Sequence, residues 1–498
     1  MIRLDKESWV NHLLSWKDFL LKCIASADNK GDSIKYERQL KTIERVRCGA
    51  VLNPSLLADF IDPSLQRSSD FPCEEYFFEM NESQKSAVMH ALGDGNLTLI
   101  QGPPGTGKTQ VIAEICLQLL KAEPGLRILI SSETHVAVNT VLSRIAEKND
   151  QIRIVRIQDK ANDEKVDKFS SSQVVEAYLK WASNCIENKD AHSILQDELH
   201  NPEEKSLEKA LALSANIVGM TCNKVSSYDF RDSTEMFDVA IVDEVCKATL
   251  PEILSPLIVS RKAILLGDPM QLPPVFCSDE LEIIRDIQSC QLDKYMYIDN
   301  LFNESVNVTV LNTQYRMSNQ IGSMISDLFY KPAGVNLING RNVDIAESIR
   351  WINYVPTQMW PTQQDQALAR PRIYNDDECR IVCDIARRFV EKDSEVTVAI
   401  IAPYHAQVEA LRKMCSSLPN RVKIDTVDGF QGDEKDIVIF SVTRTTGPYR
   451  FFTDIRRLNV ALSRAKNNLY IVGYTEYCLR NNILHDIYQR STVESIQI

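Results

Sequence analysis

Eight consecutive residues, Gly102-Pro103-Pro104-Gly105-Thr106-Gly107-Lys108-Thr109, follow the mostly apolar run Leu97 to Ile100 and precede Val111-Ile112-Ala113-Glu114-Ile115. They fit the phosphate-binding pattern G-x-x-x-x-G-K-[ST] without a mismatch. A polyphosphate is best met by successive backbone N–H groups at a helix N-terminus, where unsatisfied donors and the positive end of the dipole converge. Glycines let the backbone approach, Lys108 would reach the β and γ phosphates as a point charge, and the Thr109 hydroxyl would ligate Mg²⁺. A strand before the loop and a helix after it complete the pattern, so the chain is expected to bind a nucleoside triphosphate. The loop alone does not say what the triphosphate is used for.

Hydrolysis needs acids, and they stand at the end of the run Met236-Phe237-Asp238-Val239-Ala240-Ile241-Val242 as Asp243-Glu244. A buried strand would deliver both carboxylates to its C-terminal tip, Asp243 holding Mg²⁺ through water and Glu244 polarising the attacking water. A second strand, Leu265-Leu266, runs into Gly267-Asp268-Pro269-Met270-Gln271-Leu272-Pro273-Pro274, a proline-stiffened loop that places Gln271 to sense the γ phosphate. Taken alone, that loop would be a turn.

Three further segments follow in order: Gln314-Tyr315-Arg316-Met317; Val427-Asp428-Gly429-Phe430-Gln431-Gly432-Asp433-Glu434-Lys435-Asp436; and Arg456-Arg457-Leu458-Asn459-Val460-Ala461-Leu462-Ser463-Arg464-Ala465-Lys466. Together with the phosphate loop, the acid pair and the Gly267–Pro274 loop, they resemble the ordered motifs of the superfamily-one helicases, in the branch of the nonsense-mediated-decay helicase and senataxin. The resemblance runs from about residue 80 to about residue 475 and rests on six ordered motifs. It implies an α/β fold of two RecA-like P-loop domains in tandem, each a mostly parallel sheet flanked by helices. It also implies ATP in the cleft between them and a single nucleic-acid strand across both.

Carried over position by position, the resemblance makes Gln84 of Asn81-Glu82-Ser83-Gln84 the reader of the adenine edge, Tyr315 a stacking partner of the base, and Glu434 a ribose contact. The ATP-binding set is then Gln84, Gly102, Pro103, Pro104, Gly105, Thr106, Gly107, Lys108, Thr109, Tyr315 and Glu434. Arg316 and Arg464 become arginine fingers, joining Lys108, Asp243, Glu244 and Gln271 in the catalytic set, with Thr109 and Asp243 on the metal. Ser132-Glu133-Thr134-His135-Val136-Ala137-Val138-Asn139 resembles a segment that grips strand phosphates, as do Thr221-Cys222 and Thr426; Thr134, His135, Thr221 and Thr426 are the expected strand contacts. Several positions depart from the commonest pattern. Val245 and Lys247 stand where many relatives have alanine and glutamine, and His135 and Asn139 where asparagine and aspartate are more usual. None touches the core ATP residues; coupling between ATP and strand is where they would act.

The elements that position these residues can be read from apolar runs. Leu97 to Gln101, Ile128 to Ser131, Ile152 to Ile157, Val239 to Val242 and Ala263 to Leu266 read as strands of a first parallel sheet. Val396 to Ala402, Ile437 to Val442 and Leu469 to Val472 read as strands of a second. Residues 1–78 read as a helical extension, with Trp9, Leu13, Trp16, Phe19 and Leu20 on one face. The expected domains are 79–300, with a helical insertion at about 159–210 carrying Val174, Val175, Tyr178, Leu179 and Ala182 at helical spacing, and 301–480. Residues 481–498 read as a tail, and Gly334 to Arg372 as a connecting segment or small subdomain. About 80 residues before the glutamine motif leave little room for the β-barrel of the decay helicase.

Bulk properties narrow the class. The chain has 498 residues, 44% of them hydrophobic and 25% charged, as expected for a soluble multidomain protein. No run approaches the roughly 18 to 20 apolar residues of a membrane helix, so no membrane partner is expected. A net charge of −12 gives no global basic footprint, but an internal groove can hold a strand with few cations. The 13 cysteines include no C-x-x-C pair; Cys379 and Cys383 read as one buried helix face rather than a metal site. The N-terminus does not resemble a secretory signal, and cytosol is the default setting, with a nuclear or nucleoid one open. The expected function is an ATP-dependent helicase or translocase on single-stranded RNA or DNA, with Mg²⁺ and a 5′ to 3′ polarity taken from the resemblance alone. The alternative is a strand-stimulated ATPase clamp or remodelling subunit that separates no strands.

Overall fold

Short apolar runs become buried parallel strands in two separate sheets. The structure, a computed structural model, describes residues 6–67, 69–158, 168–170, 173–177, 180, 210, 212–228, 236–287, 298, 301–303, 305, 307–362, 365, 372–430 and 432–497. The chain divides into two compact units. The first comprises Met1–Gly102, Lys108–Pro269 and Pro273–Leu311; the second comprises Pro103–Gly107, Met270–Leu272 and Asn312–Ile498.

In the first unit, β1 (Leu97–Gln101), β2 (Ile128–Ser132), β3 (Ile154–Arg156), β4 (Ile217–Thr221), β5 (Phe237–Asp243), β6 (Ser260–Gly267) and β7 (Val308–Val310) form a seven-stranded sheet. Its order is β3-β4-β2-β5-β6-β1-β7 and every pairing is parallel. Both faces are covered, so the strands are nearly continuous apolar runs whose alternate residues enter different cores. Ile100, Ile128, Ile130, Ile217, Val239, Ile241, Ile264 and Leu266 pack in a cluster with Ala87, Val88, Ile112 and Val138. Those four residues come from α4 (Glu82–Leu92), α5 (Lys108–Ala122) and α6 (His135–Ala146).

Leu97, Leu99, Leu129, Val218, Met220, Ala240, Val242, Ala263 and Leu265 belong to another cluster, with residues of α1 (Lys6–Ser26), α2 (Lys30–Arg47) and α3 (Pro54–Ile61). The N-terminal helices are thus part of the first unit's core. Trp9, Leu13, Trp16, Phe19 and Leu20 are all buried, as their spacing suggests. Polar ties fix the register: Tyr36 Oη donates to Glu280 at 2.9 Å and Gln39 Nε2 to Glu252 at 3.1 Å. Helix ends after the 3₁₀ turn Pro63–Leu65, so the described residues from 66 to 78 of the expected helical extension are not helical.

Two expectations change and one lies mostly outside the described residues. The strand β7 adds to the edge of β1, so residues up to Leu311 group with the first unit rather than opening a second domain at 301. The insertion at about 159–210 falls mostly outside the described residues, as do Tyr178, Leu179 and Ala182; Val174 and Val175 lie in a described helical stretch, with Val175 buried. The second change is in the second unit. After the small pair β8 (Thr313–Gln314) and β9 (Ile338–Asn339) come β10 (Ile349–Tyr354), β11 (Val398–Ala402), β12 (Val422–Thr426), β13 (Lys435–Ser441), β14 (Ala465–Val472) and β15 (Thr492–Ile496). The six-stranded sheet runs β12-β11-β13-β14-β10-β15, again all parallel. The segment read as a connector therefore supplies β10, and the residues read as a tail form a helix, Asn482–Gln489, and the edge strand β15.

A buried carboxylate joins these elements. Glu378, on the helix Asp376–Lys392, accepts from Tyr354 Oη of β10 at 2.9 Å, from Ser441 Oγ of β13 at 2.6 Å and from the Thr443 N–H at 2.7 Å. Burial pushes it up to about 7, against those three donors. Cys379 and Cys383 are buried on the same helix.

Candidate active site

Parallel register puts the chemistry on one edge. At the C-terminal end of the first sheet, Ser132 of β2 is the partner of Thr221 of β4 on one side and of Asp243 of β5 on the other. Gln101 of β1 pairs with Gly267 of β6. Neighbouring strands lie about 4.8 Å apart, so Asp243 and Thr221 stand about 10 Å apart at one level of the sheet.

Gly105 and Gly107 take positive φ of 74° and 83°, which a side chain rarely adopts, and turn the phosphate loop into the first turn of α5. Pro103 and Pro104 are buried, and Thr106 Oγ1 closes the loop on the Pro103 carbonyl at 2.7 Å. Lys108 Nζ donates to the Gly102 carbonyl at 2.7 Å and lies 3.8 Å from Glu244. A Cβ at Gly102 would sit 2.3 Å from Lys108 Cγ, so the glycine makes room for the lysine. Thr109 is half-buried in the same turn.

Asp243 is buried, and burial together with the Glu244 carboxylate pushes it up to about 7, opposed by Lys108. Glu244 itself has φ of 56°, and its N–H donates to Asp243 Oδ1 at 2.9 Å. A buried carboxylate beside a second acid, with Lys108 offsetting their charge only in part, fits a hard dication, which takes only one or two carboxylates and draws its other ligands from phosphate and water. Gln84 is buried at N3 of α4, where its side-chain oxygen accepts the Asn81 N–H at 3.0 Å in a capping box. That bond orients the amide. Lys247, one of the departures from the commonest pattern, pairs with Glu133 at 3.3 Å and so ties the segment after Asp243-Glu244 to the loop after β2.

In the second unit, Gln314 is the staple. Its buried side chain accepts from the backbone N–H groups of Arg316 and Met317 at 2.9 and 2.7 Å and donates to Asn339 at 2.8 Å. The resulting turn holds Tyr315 outward, 43% exposed, over Gly340, where a Cβ would come within 2.5 Å of the ring. Arg316 Nε donates to Glu434 at 2.5 Å and Nη1 to the Ser463 carbonyl at 3.2 Å. Lys466 meets the other Glu434 oxygen at 3.0 Å. Arg464 is buried, its Nε on the Val460 carbonyl at 2.9 Å and its Nη2 on Gln271 Oε1 at 3.3 Å within the same unit.

The expected strand contacts share one geometry. Thr134 caps α6 and Thr221 caps the helix Cys222–Ser227, while Thr426 Oγ1 accepts the Gly429 N–H at 3.3 Å at the start of a 3₁₀ turn. Each therefore marks a helical N-terminus at a strand end, the place where backbone donors meet phosphate. His135 is exposed and bonded to the buried Arg156 at 2.9 Å. Sequence reasoning passed over Arg156 and Lys466. An arginine ending an apolar strand, as in Ile152-Arg153-Ile154-Val155-Arg156, was the available signal for the first; the second was hidden in a run of cations.

Two family profiles, each described as an AAA domain, match residues 79–201 with 182–279 and residues 294–476. The DNA polymerase alpha-associated DNA helicase A of Saccharomyces cerevisiae is 31% identical over 80% of this chain and 66% of its own length. Helicase sen1 of Schizosaccharomyces pombe is 27% identical over 88% of this chain, and the regulator of nonsense transcripts 1 homolog of Drosophila melanogaster is 30% identical over 79%. The chain belongs to the superfamily-one helicases. Within them it falls in the branch of the nonsense-mediated-decay helicase and senataxin. This helicase-family chain spans 32% and 34% of the length of the last two relatives.

Proposed function

We propose that this chain is an ATP hydrolase that moves along single-stranded nucleic acid, a helicase or translocase with 5′ to 3′ polarity. One observation carries the reading: the acid pair for hydrolysis and two of the threonine caps for a strand, Thr134 and Thr221, stand on one edge of the first sheet, with Ser132 paired to both Asp243 and Thr221. A shift at the nucleotide therefore reaches the strand grip through about two strand widths of rigid sheet.

In this reading the phosphate loop Gly102–Thr109 cradles the triphosphate and Lys108 neutralises its terminal charge. Thr109 and Asp243 would hold Mg²⁺, which supplies charge neutralisation and orientation of the phosphates. Glu244 polarises the attacking water. Gln271, bonded to Arg464, reports on the γ phosphate, while Arg316 and Arg464 stabilise the charge that builds there. Gln84 and Tyr315 take the adenine and Glu434 the ribose. Thr134, His135, Thr221 and Thr426 take backbone phosphates, which position a strand without reading it. The relatives' names point to DNA in one case and to transcripts in another, so the track is RNA or DNA. No helix among the described residues is long and apolar enough to cross a membrane, and the setting proposed is cytoplasmic or nuclear.

The test is ATP hydrolysis by the purified chain with single-stranded RNA, with DNA and with neither, beside Lys108→Ala. Stimulation by one polymer that vanishes in the variant supports the motor. Duplexes with 5′ or 3′ overhangs then report polarity, and stimulated hydrolysis with no strand separation would replace the motor by a clamp.

A further inference from the structure

Arg156 ends β3 with its side chain fully buried. Every acceptor it bonds is neutral: Asn139 Oδ1 receives Nε at 2.9 Å, the carbonyls of Ile157 and Gly219 receive Nη1 at 2.8 and 3.0 Å, and His135 Nδ1 meets Nη2 at 2.9 Å. No carboxylate partners it among the described residues. Gly219 opens the passage, since a Cβ there would lie 3.3 Å from Arg156 Cδ and closer still to Leu142 and Val138. Burial lowers the guanidinium to about 10, which leaves it charged at neutral pH. Among the described residues the unit thus keeps a buried cation without a counter-charge, beneath the first turn of α6.

The bond to His135 has a chemical consequence. A guanidinium has donors only, so Nδ1 must offer its lone pair, and the imidazole must be the neutral tautomer with its proton on Nε2. A protonated ring would set N–H against N–H. His135 is exposed at the N-terminus of α6, next to the Thr134 cap.

We propose that Arg156 is a positioning residue for nucleic-acid backbone phosphate: it holds His135 as a neutral Nε2–H donor and lends its unbalanced positive charge to the phosphate seated at the start of α6. This rests on the strand-binding reading of Thr134 and His135. The phosphate is the missing counter-charge, and the buried position lets the charge act without a flexible side chain to order.

Three measurements on the chain test it. The first is ¹⁵N NMR of the His135 ring at neutral pH, where the Nε2–H tautomer is expected; an Nδ1–H or protonated ring would overturn the proposal. The second is Asn139→Asp, which places a carboxylate on Arg156 Nε. It should raise the unfolding temperature, because a buried cation gains a partner, and weaken binding of a labelled single-stranded oligonucleotide by about three- to tenfold. A merely structural Arg156 would let the variant gain stability with no loss of binding, which sinks the proposal. His135→Ala separates the two readings. If it leaves oligonucleotide binding intact, the strand-binding reading fails and the proposal with it; if it weakens binding while Asn139→Asp does not, only the role of Arg156 falls.

Discussion

Arg316 donates through Nε to Glu434 at 2.5 Å, so the candidate finger and the acid assigned to the ribose are already one ion pair. Burial would raise Glu434, but Arg316 and Lys466 outweigh it and hold the carboxyl below its usual range. Replacing Glu434 by Gln removes the negative half and loosens both cations. The expected outcome is a KM for ATP raised about tenfold, on the order of 1.4 kcal/mol of binding, in steady-state hydrolysis assays. The wild type should also prefer ATP to 2′-deoxy-ATP more than the variant does; an unchanged preference removes the ribose contact.

Gly102→Ala acts on the lysine rather than on the backbone alone. The new Cβ would overlap Lys108 Cγ at 2.3 Å and push the ammonium from its place. Hydrolysis should fall at least about tenfold in kcat/KM while the unfolding midpoint moves little, since the loop lies outside the sheet cores. A large loss of stability with normal residual activity per folded molecule would contradict this.

Arg464 and Gln271 touch at 3.3 Å and should behave as one device. Arg464→Ala is expected to lower kcat by roughly 10³, the low end for an arginine finger, with ATP binding retained. The double variant with Gln271→Ala should be no worse than the product of the singles, and better if the two act as a unit. Single-turnover kinetics separates the loss in chemistry from any loss in binding.

Glu378 predicts a pH dependence of stability. Its folded value is raised to about 7 by burial. A raised carboxyl contributes fully at pH below its unfolded value, and that contribution is lost as pH rises through the folded value. The chain should therefore lose stability between about pH 4.5 and 7 from this group, levelling off above. Denaturant titrations across that window check the slope, and Glu378→Gln should flatten it.

Much of this was legible in the sequence where a strand is both buried and capped by a motif. Leu97 to Gln101 and Val239 to Val242 announce themselves by apolar runs that lead straight into the phosphate loop and the acid pair. The strand β10, Ile-Arg-Trp-Ile-Asn-Tyr, was obscured by its Asn- and Pro-rich surroundings, and β12, Val-Lys-Ile-Asp-Thr, alternates charges because it is an edge strand. Arg156 was passed over for a different reason: its place at the end of an apolar strand was a signal, but a charged residue is assigned to the surface by default, and the sheet shows that neighbouring carbonyls and two side chains of α6 receive it. Pair relations such as Gln271 with Arg464 lie 193 residues apart and leave no local pattern.

The strand order of the second unit also has a consequence for biosynthesis. Among the described residues, the strand β10 finds its hydrogen-bonding partners in β14 and β15, about 120 and 140 residues further along the chain. At ribosomal speeds of about 5 to 20 residues per second, it waits roughly 6 to 24 s before the first of these neighbours exists. For that interval Trp351, which ends fully buried, belongs to an open strand. The nascent chain is thus most prone to sticking until synthesis has passed β14, Ala465–Val472.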